Sequence, residues 1–221
     1  MEYFKISREE LGRGAKIPLK KLGDSGEVFY ELALEMLEEI KKNNARGLRS
    51  VLICPVGPVG QYPIFVRLVN EGRVSLKDTW FINMDEYLND DETWISREHK
   101  LSFRGFMDRE VYSRIDPELV MPQSKRVFPD PQDVRAVPAL IQKLGGVNLA
   151  LGGIGINGHL AFNEAQDELT PEAFAALSTR VLSISRETRV ANAIGDLNGA
   201  IDAMPKKCVT IGMAEILGAA R

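Results

Sequence analysis

The sequence holds only two cysteines, Cys54 and Cys208. Both sit in apolar stretches that read as strands, so the expectation is two buried thiols in a reducing compartment and no disulfide framework. Two cysteines without neighbouring histidines make half a zinc site at most, and histidine is scarce too, with only His99 and His159. No metal is expected. Long apolar runs are also missing: Val51 to Pro55 and Val147 to Ile156 fall well short of the roughly 20 residues that cross a bilayer, which excludes a spanning helix. Met1 to Gly14 mixes Lys5, Arg8, Glu9, Glu10 and Arg13 without an apolar centre, unlike a secretory signal, and the expected location is the cytoplasm. Neither sign of charge dominates. The 28 Lys and Arg against 31 Asp and Glu leave a formal charge of −3, too near balance for a broad nucleic-acid surface.

What is present is an alternation of short apolar runs with longer amphipathic ones, the pattern of strands joined by helices in a mostly parallel sheet. From Gly26 to Lys42, apolar Val28, Phe29, Leu32, Met36, Leu37 and Ile40 recur at helical spacing among charged residues. Ser50 to Pro55 predicts a strand, stopped by Pro55, Gly57, Pro58 and Gly60, and Ile64 to Glu71 a helix ended by Gly72. Thr79 to Met84 predicts a second strand running into the charged stretch Asp85-Glu86-Tyr87, with a helix over Phe103 to Val111 beyond a long loop. The Pro-rich Asp116 to Asp133 reads as a connection, followed by a helix from Val134 to Leu144 that Gly145 and Gly146 terminate. Val147 to Gly152, Thr179 to Ser185 and Lys207 to Ile211 predict further strands. With 221 residues, 44% of them hydrophobic, one doubly wound α/β domain covers the chain better than two independent ones.

Three segments that could carry chemistry follow directly on strands, where open α/β sheets place their ligands. Asp85-Glu86 is the first: partial desolvation would raise the Asp85 pKa and suit it to proton transfer, while a solvated loop with an incidental acid pair is the reading that spacing alone favours. The second is Gly152 to Glu164, GGIGINGHLAFNE. Its glycines let a ligand approach the backbone, and a His159 near neutral pKa with Glu164 five residues later suits proton shuttling. A short helix starting near His159 would turn its amides toward an oxygen-rich ligand, and a tight turn with a packed His is the alternative. GxGxxG at Gly153, Gly155 and Gly158 is a weak match to the dinucleotide fingerprint, because it lies late in the chain and is followed at once by a His. The third is Val56 to Gln61, VGPVGQ, a glycine-containing strand-to-helix loop. It has no Ser, Thr or Lys, and Pro58 removes one donor, so it is not a Walker loop. His99 reads as a solvated loop residue, and Phe103, Phe106 and Met107 as core.

INMDEY at Ile82 to Tyr87, SFRGFM at Ser102 to Met107, LGGIGINGHLAFNE at Leu151 to Glu164 and ETRVAN at Glu187 to Asn192, in this order, resemble the glucosamine-6-phosphate deaminase (isomerase) family, relatives of the 6-phosphogluconolactonases. The resemblance runs from about Ser50 to the end. It implies a modified Rossmann-like α/β fold and an aldose-to-ketose isomerisation coupled to loss of ammonia from an amino-sugar phosphate, without metal or organic cofactor. By the same resemblance, Asp85 matches the base that moves a proton between C2 and C1, His159 the residue that helps open the ring, and Glu164 its carboxylate partner. Substrate contacts are expected from Gly57, Pro58, Val59, Gly60, Glu86, Gly153 and Asn163. The ligand is then a small sugar phosphate, and homo-oligomer formation is left open.

Several positions depart from that family. Asn157 stands where an Asp usually sets the charge and orientation of the His; an amide accepts a hydrogen bond from imidazole but supplies no full charge. VGPVGQ replaces a Gly-Gly loop flanked by Ser or Thr, and Ile194 stands where an Arg would hold phosphate. Arg180 matches a basic residue of allosteric members, with Leu182 in place of the Lys that follows it. The resemblance also implies a further strand with a phosphate-binding Lys and C-terminal helices beyond Arg221, so residues 1–221 are expected to be a family domain lacking that part. Three readings follow: a deaminase/isomerase with shifted substrate preference, a non-catalytic sugar-phosphate-binding or regulatory domain, and a 6-phosphogluconolactonase-like hydrolase.

Overall fold

The computed structural model describes residues 5–221; the first four residues of the stretch read as lacking a signal, Met1 to Phe4, lie outside them. The chain opens its regular structure with α1 (Ser25–Asn44), capped by the Asp24 carboxylate, which accepts from the Glu27 amide at 2.9 Å. Lys41 and Lys42 in its last turn complement the helix dipole. Its stripe of Ala33, Met36, Leu37 and Ile40 is buried against the sheet.

β1 (Ser50–Cys54) is buried along its whole length, as a strand inside a parallel sheet should be, and its one polar side chain, Ser50, accepts from Asn43 Nδ2 at 3.1 Å. It lies between β2 (Thr79–Asn83) and the two-residue β5 (Leu149–Ala150), and β2 pairs with β4 (Arg126–Val127), giving the all-parallel order β4-β2-β1-β5. Strand alternation sends Leu52 and Cys54 into one core cluster, with α1 and α2 (Gln61–Glu71), and Val51 and Ile53 into another, with α4 (Ala136–Leu144). This is the expected doubly wound α/β arrangement. Gly145, at φ 85°, closes α4 in the left-handed conformation that glycine adopts without strain.

The remaining strands form a second, antiparallel sheet that the sequence pattern did not announce. β3 (Asp85–Leu88) and β6 (Arg180–Ser183) flank β7 (Lys207–Thr210). Met84 is the joint: its amide donates to Cys54 O at 3.1 Å and its carbonyl accepts from Ile211 N at 2.7 Å. Reading Asp85-Glu86 as a charged loop is therefore corrected. Glu86 is fully buried because the Ser102 hydroxyl, the Phe103 and Arg104 amides and the Arg104 guanidinium all donate to its carboxylate. These groups belong to the start of α3 (Phe103–Met107), which continues as a wide π-type turn over Asp108–Tyr112.

Other differences have local causes. The Pro-rich connection supplies β4, which pairs with β2 in parallel, Asn83 Nδ2 donating to Val127 O at 2.9 Å. No helix starts near His159; residues 154–163 form turns tied by isolated bridges, Ile154 to Leu160 and Leu160 to Asn163. Ahead of β6 stands α5 (Pro171–Ala175), the ETRVAN segment lies in α6 (Arg186–Asp196), and α7 (Met213–Leu217) follows β7. Cys54 and Cys208 are buried free thiols, and burial pushes both above the usual thiol range. No helix among the described residues is long and apolar enough to cross a membrane.

Candidate active site

A cleft of about 440 Å³ opens beside the carboxyl ends of β1 and β2 and the start of β3. Pro55, Val56, Gly57 and Pro58 line one wall, Met84, Asp85, Tyr87 and Phe103 another, and Gly153 to Gly155, His159, Ala161 and Phe162 a third, with Asn192 and Asp196 of α6 at its edge. Two glycines permit this packing. A Cβ on Gly153 would stand 2.8 Å from the Pro58 ring, and one on Gly155 would stand 2.1 Å from the His159 ring.

Asp85 opens β3 at the junction of the two sheets and is 7% exposed. Among the described residues its carboxylate makes no hydrogen bond or ion pair. Burial pushes its pKa well above the usual carboxylate range, and the Glu86 charge adds to the shift. A desolvated, unpartnered carboxylate facing a cleft is a strong base once ionised and a ready acid once protonated.

His159 faces the same cleft over Gly155, with its ring stacked on Phe162 at 6.3 Å. Behind it lies a polar chain. His159 Nδ1–H donates to Asn157 Oδ1 at 2.6 Å, and Asn157 Nδ2 donates to Glu164 Oε1 at 3.5 Å. The His159 backbone amide also donates to Asn157 Oδ1, at 3.3 Å, so both contacts set the amide the same way round. That orientation places the ring proton on Nδ1 and leaves Nε2 as an acceptor.

Glu164 is clamped from α6. The Ser185 amide donates to it at 3.1 Å, the Ser185 hydroxyl at 2.6 Å, and the Thr188 hydroxyl also donates to Oε1. Ser185 is at the same time the N-cap of α6, accepting from Thr188 N at 3.2 Å, so the helix start and the carboxylate share one hydroxyl. Burial raises the Glu164 pKa, but these donors together outweigh it and hold the group below its usual value. For His159, burial lowers the pKa and the Glu164 charge partly offsets the drop.

The expected site residues thus divide. Asp85, His159, Gly57, Pro58 and Gly153 line the cleft, and Asn157 and Glu164 stand behind His159. The other four lie away from both the cleft lining and His159. Val59 belongs to an adjoining hollow of about 290 Å³, and Gly60 caps α2, with its Cα against the Phe29 ring. Glu86 is consumed by Arg104 and α3. Asn163 is buried in the framework, donating to Leu160 O and Ile211 O and accepting from Arg180. Phe103, expected in the core, packs against the buried cluster of Tyr87 and Phe162 and also forms a cleft wall, with its ring 4.9 Å from Tyr87. The sequence reading missed Tyr87, Asn192 and Asp196 as lining residues and Ser185 and Thr188 as the clamp. Asn192 and Thr188 lie in ETRVAN, but helical spacing alone does not point them at a strand-end cleft. His99 is exposed, as expected. No group of three His, Cys, Asp or Glu side chains among the described residues is placed to hold a metal.

No protein-family model matches the chain. Among solved structures it is similar to a monomeric glucosamine-6-phosphate deaminase, with a TM-score of 0.77 and 25% identity over 93% of this chain and 80% of that one. The 6-phosphogluconolactonase of Trypanosoma brucei shares the fold alone, at a TM-score of 0.58 and 16% identity over 92% of this chain and 79% of that one. These likenesses put the chain in the Rossmann-like α/β class that includes deaminases and lactonases. Within that class, the glucosamine-6-phosphate deaminase of Clostridium perfringens is 31% identical over 195 residues, 85% of this chain and 72% of the relative. The chain belongs to the glucosamine-6-phosphate deaminase family.

Proposed function

We propose that the chain is an enzyme that converts a 2-amino-2-deoxy aldose and water into the matching ketose and ammonia, with substrate preference shifted from glucosamine 6-phosphate. The observation that carries this reading is the convergence of an unpartnered, desolvated Asp85 and a tautomer-fixed His159 on one cleft. Nε2 of His159 accepts the anomeric hydroxyl proton while the ring opens, then returns it to the ring oxygen. Asp85 takes the C2 proton, and a proton is delivered to C1, which converts the C2 amine into an imine. Water adds to C2 and ammonia leaves. No step calls for a redox partner.

Glu164, through Asn157, keeps the imidazole oriented and does not touch the substrate. The buried thiols suit a cytoplasmic enzyme of carbohydrate metabolism. The test is ammonia and ketose release from a panel of amino sugars and their 6-phosphates, by the wild type and by Asp85→Asn. Release that Asp85→Asn abolishes is the expected result. A folded wild type that binds these ligands without turnover supports the non-catalytic binding domain instead, and lactone hydrolysis surviving Asp85→Asn supports the hydrolase.

A further inference from the structure

Thr188 makes a contact beyond its clamp on Glu164. Its hydroxyl oxygen lies 3.5 Å from His159 Nδ1 while its proton goes to Glu164 Oε1. A hydroxyl carries one proton, and the Glu164 carboxylate, held below its usual pKa, can only accept it. Toward the ring the Thr188 oxygen is therefore an acceptor, and the group facing it must donate. This places the ring proton on Nδ1 independently of the Asn157 amide. It also makes one buried oxygen a bridge between carboxylate and imidazole.

Two links thus join Glu164 to His159, and they differ in quality. Asn157 is exposed, so water competes for its amide, and it reaches Glu164 only at 3.5 Å. Thr188 is buried, stands in the first turn of α6 and has its backbone amide bonded to Ser185 Oγ at 3.2 Å, so its β-branched side chain has little freedom to turn away. The Thr188 side chain takes no part in that helix cap. The charged groups on the surrounding elements are Asp85 of β3, Arg186, Glu187, Arg189 and Asp196 of α6, and Lys100 of the adjoining hollow. Among the described residues none of them bonds to either ring nitrogen.

We propose that Thr188 is the residue through which the Glu164 charge reaches Nδ1 of His159, a positioning residue that orients the base and favours its protonated form. When Nε2 takes up a proton, Nδ1–H becomes a stronger donor, and the Thr188 oxygen that meets it is polarised by the carboxylate behind. The inference rests on His159 being the base in the reading above and names what tunes it.

The test is the Hε1 titration of His159 by NMR in the full 221-residue chain, assigned with His99→Gln because His99 is the other imidazole. Thr188→Val keeps the side-chain outline and is expected to lower the His159 pKa by about 0.5 unit or more, and Thr188→Ser to restore it. Glu164→Gln is expected to lower it by about one unit in the wild type and by no more than about half of that in the Thr188→Val background. The acid limb of the kcat/KM profile for ammonia release should move to lower pH by the same amounts. Should the valine variant fail to fold, Thr188→Ala is read in its place. A His159 pKa raised, or unchanged to within about 0.2 unit, in the Val or Ala variant overturns the inference, as does failure of Ser to restore it or an undiminished Glu164→Gln effect. The titration needs no turnover, so a chain that releases no ammonia ends the deaminase reading while the link from Glu164 to His159 is still decided.

Discussion

Replacing Asn157 by Asp would convert the neutral link behind His159 into a charged one at nearly constant shape. The new carboxylate oxygen would stand where Oδ1 is now, 2.6 Å from His159 Nδ1. Even at the dielectric constant of water, unit charges at that separation attract by about 1.6 kcal/mol, which raises the imidazole pKa by about one unit. The second oxygen would replace Nδ2, 3.5 Å from Glu164 Oε1, and turn a hydrogen bond into a repulsion of about 1.2 kcal/mol on the same footing. The wild-type ring is held neutral because burial lowers its pKa, so its Nε2 remains a base to lower pH than that of an ordinary histidine. In Asn157→Asp, the acid limb of the kcat/KM profile should therefore move up by about one pH unit, with turnover reduced below neutrality. The ring Hε1 chemical shift of His159, followed by NMR against pH, measures the same quantity without relying on turnover. A His159 pKa unchanged to within about 0.3 unit would refute the argument, because it would mean that solvent screens a charge in direct contact with the ring.

Asp85→Asn should cost about 10²- to 10⁴-fold in ammonia release and yet stabilise the fold. Burial raises the Asp85 pKa in the folded chain, so the stability this group contributes is present below the ordinary aspartate value and is lost as pH rises through the raised one. Thermal unfolding should find the Asn variant more stable by about 1 kcal/mol at mildly alkaline pH, with the gain vanishing in acid; a variant less stable throughout would contradict this. Gly155→Ala forces a methyl group to 2.1 Å from the His159 ring and should lower kcat/KM by about 10²-fold with little change in melting temperature, as steady-state kinetics and calorimetry would show. Glu86→Gln leaves the buried Arg104 guanidinium without its carboxylate and should cost about 3 kcal/mol or more in urea unfolding, a loss that an exposed acid would not produce.

The relation between cleft and framework explains why one motif yields residues with such different duties. In GHLAFNE, His159 reaches the cleft, Phe162 supports its ring, Asn163 ties the loop to Ile211 and Arg180, and Glu164 turns back toward α6. In the adjacent pair Asp85-Glu86 the strand alternation does the sorting. One carboxylate faces the cleft unpartnered, and the next is sealed inside with five donors: the Tyr87, Phe103 and Arg104 amides, the Ser102 hydroxyl and the Arg104 guanidinium. The same local composition thus produces one reactive group and one structural one.

Local pattern was enough for much of this. Apolar runs and helical spacing located α1, β1, α2, β2 and α4, because those segments bury a face that the sequence itself displays. The order of the motifs carried the family, and strand-end position singled out Asp85 and His159. Tertiary structure alone decided the rest. β3 is a strand because β7 pairs with it across a long stretch of intervening chain, and Glu86 can be buried because α3 brings its donors. Glu164 is held by hydroxyls from a helix that the sequence reading did not assign, and Asp196 reaches the cleft only because α6 packs beside Tyr87, where Asn192 donates to the tyrosine hydroxyl at 2.9 Å. Periodicity records which face of a segment is apolar; it does not record which distant segment will arrive to satisfy a buried charge or to leave one unpaired.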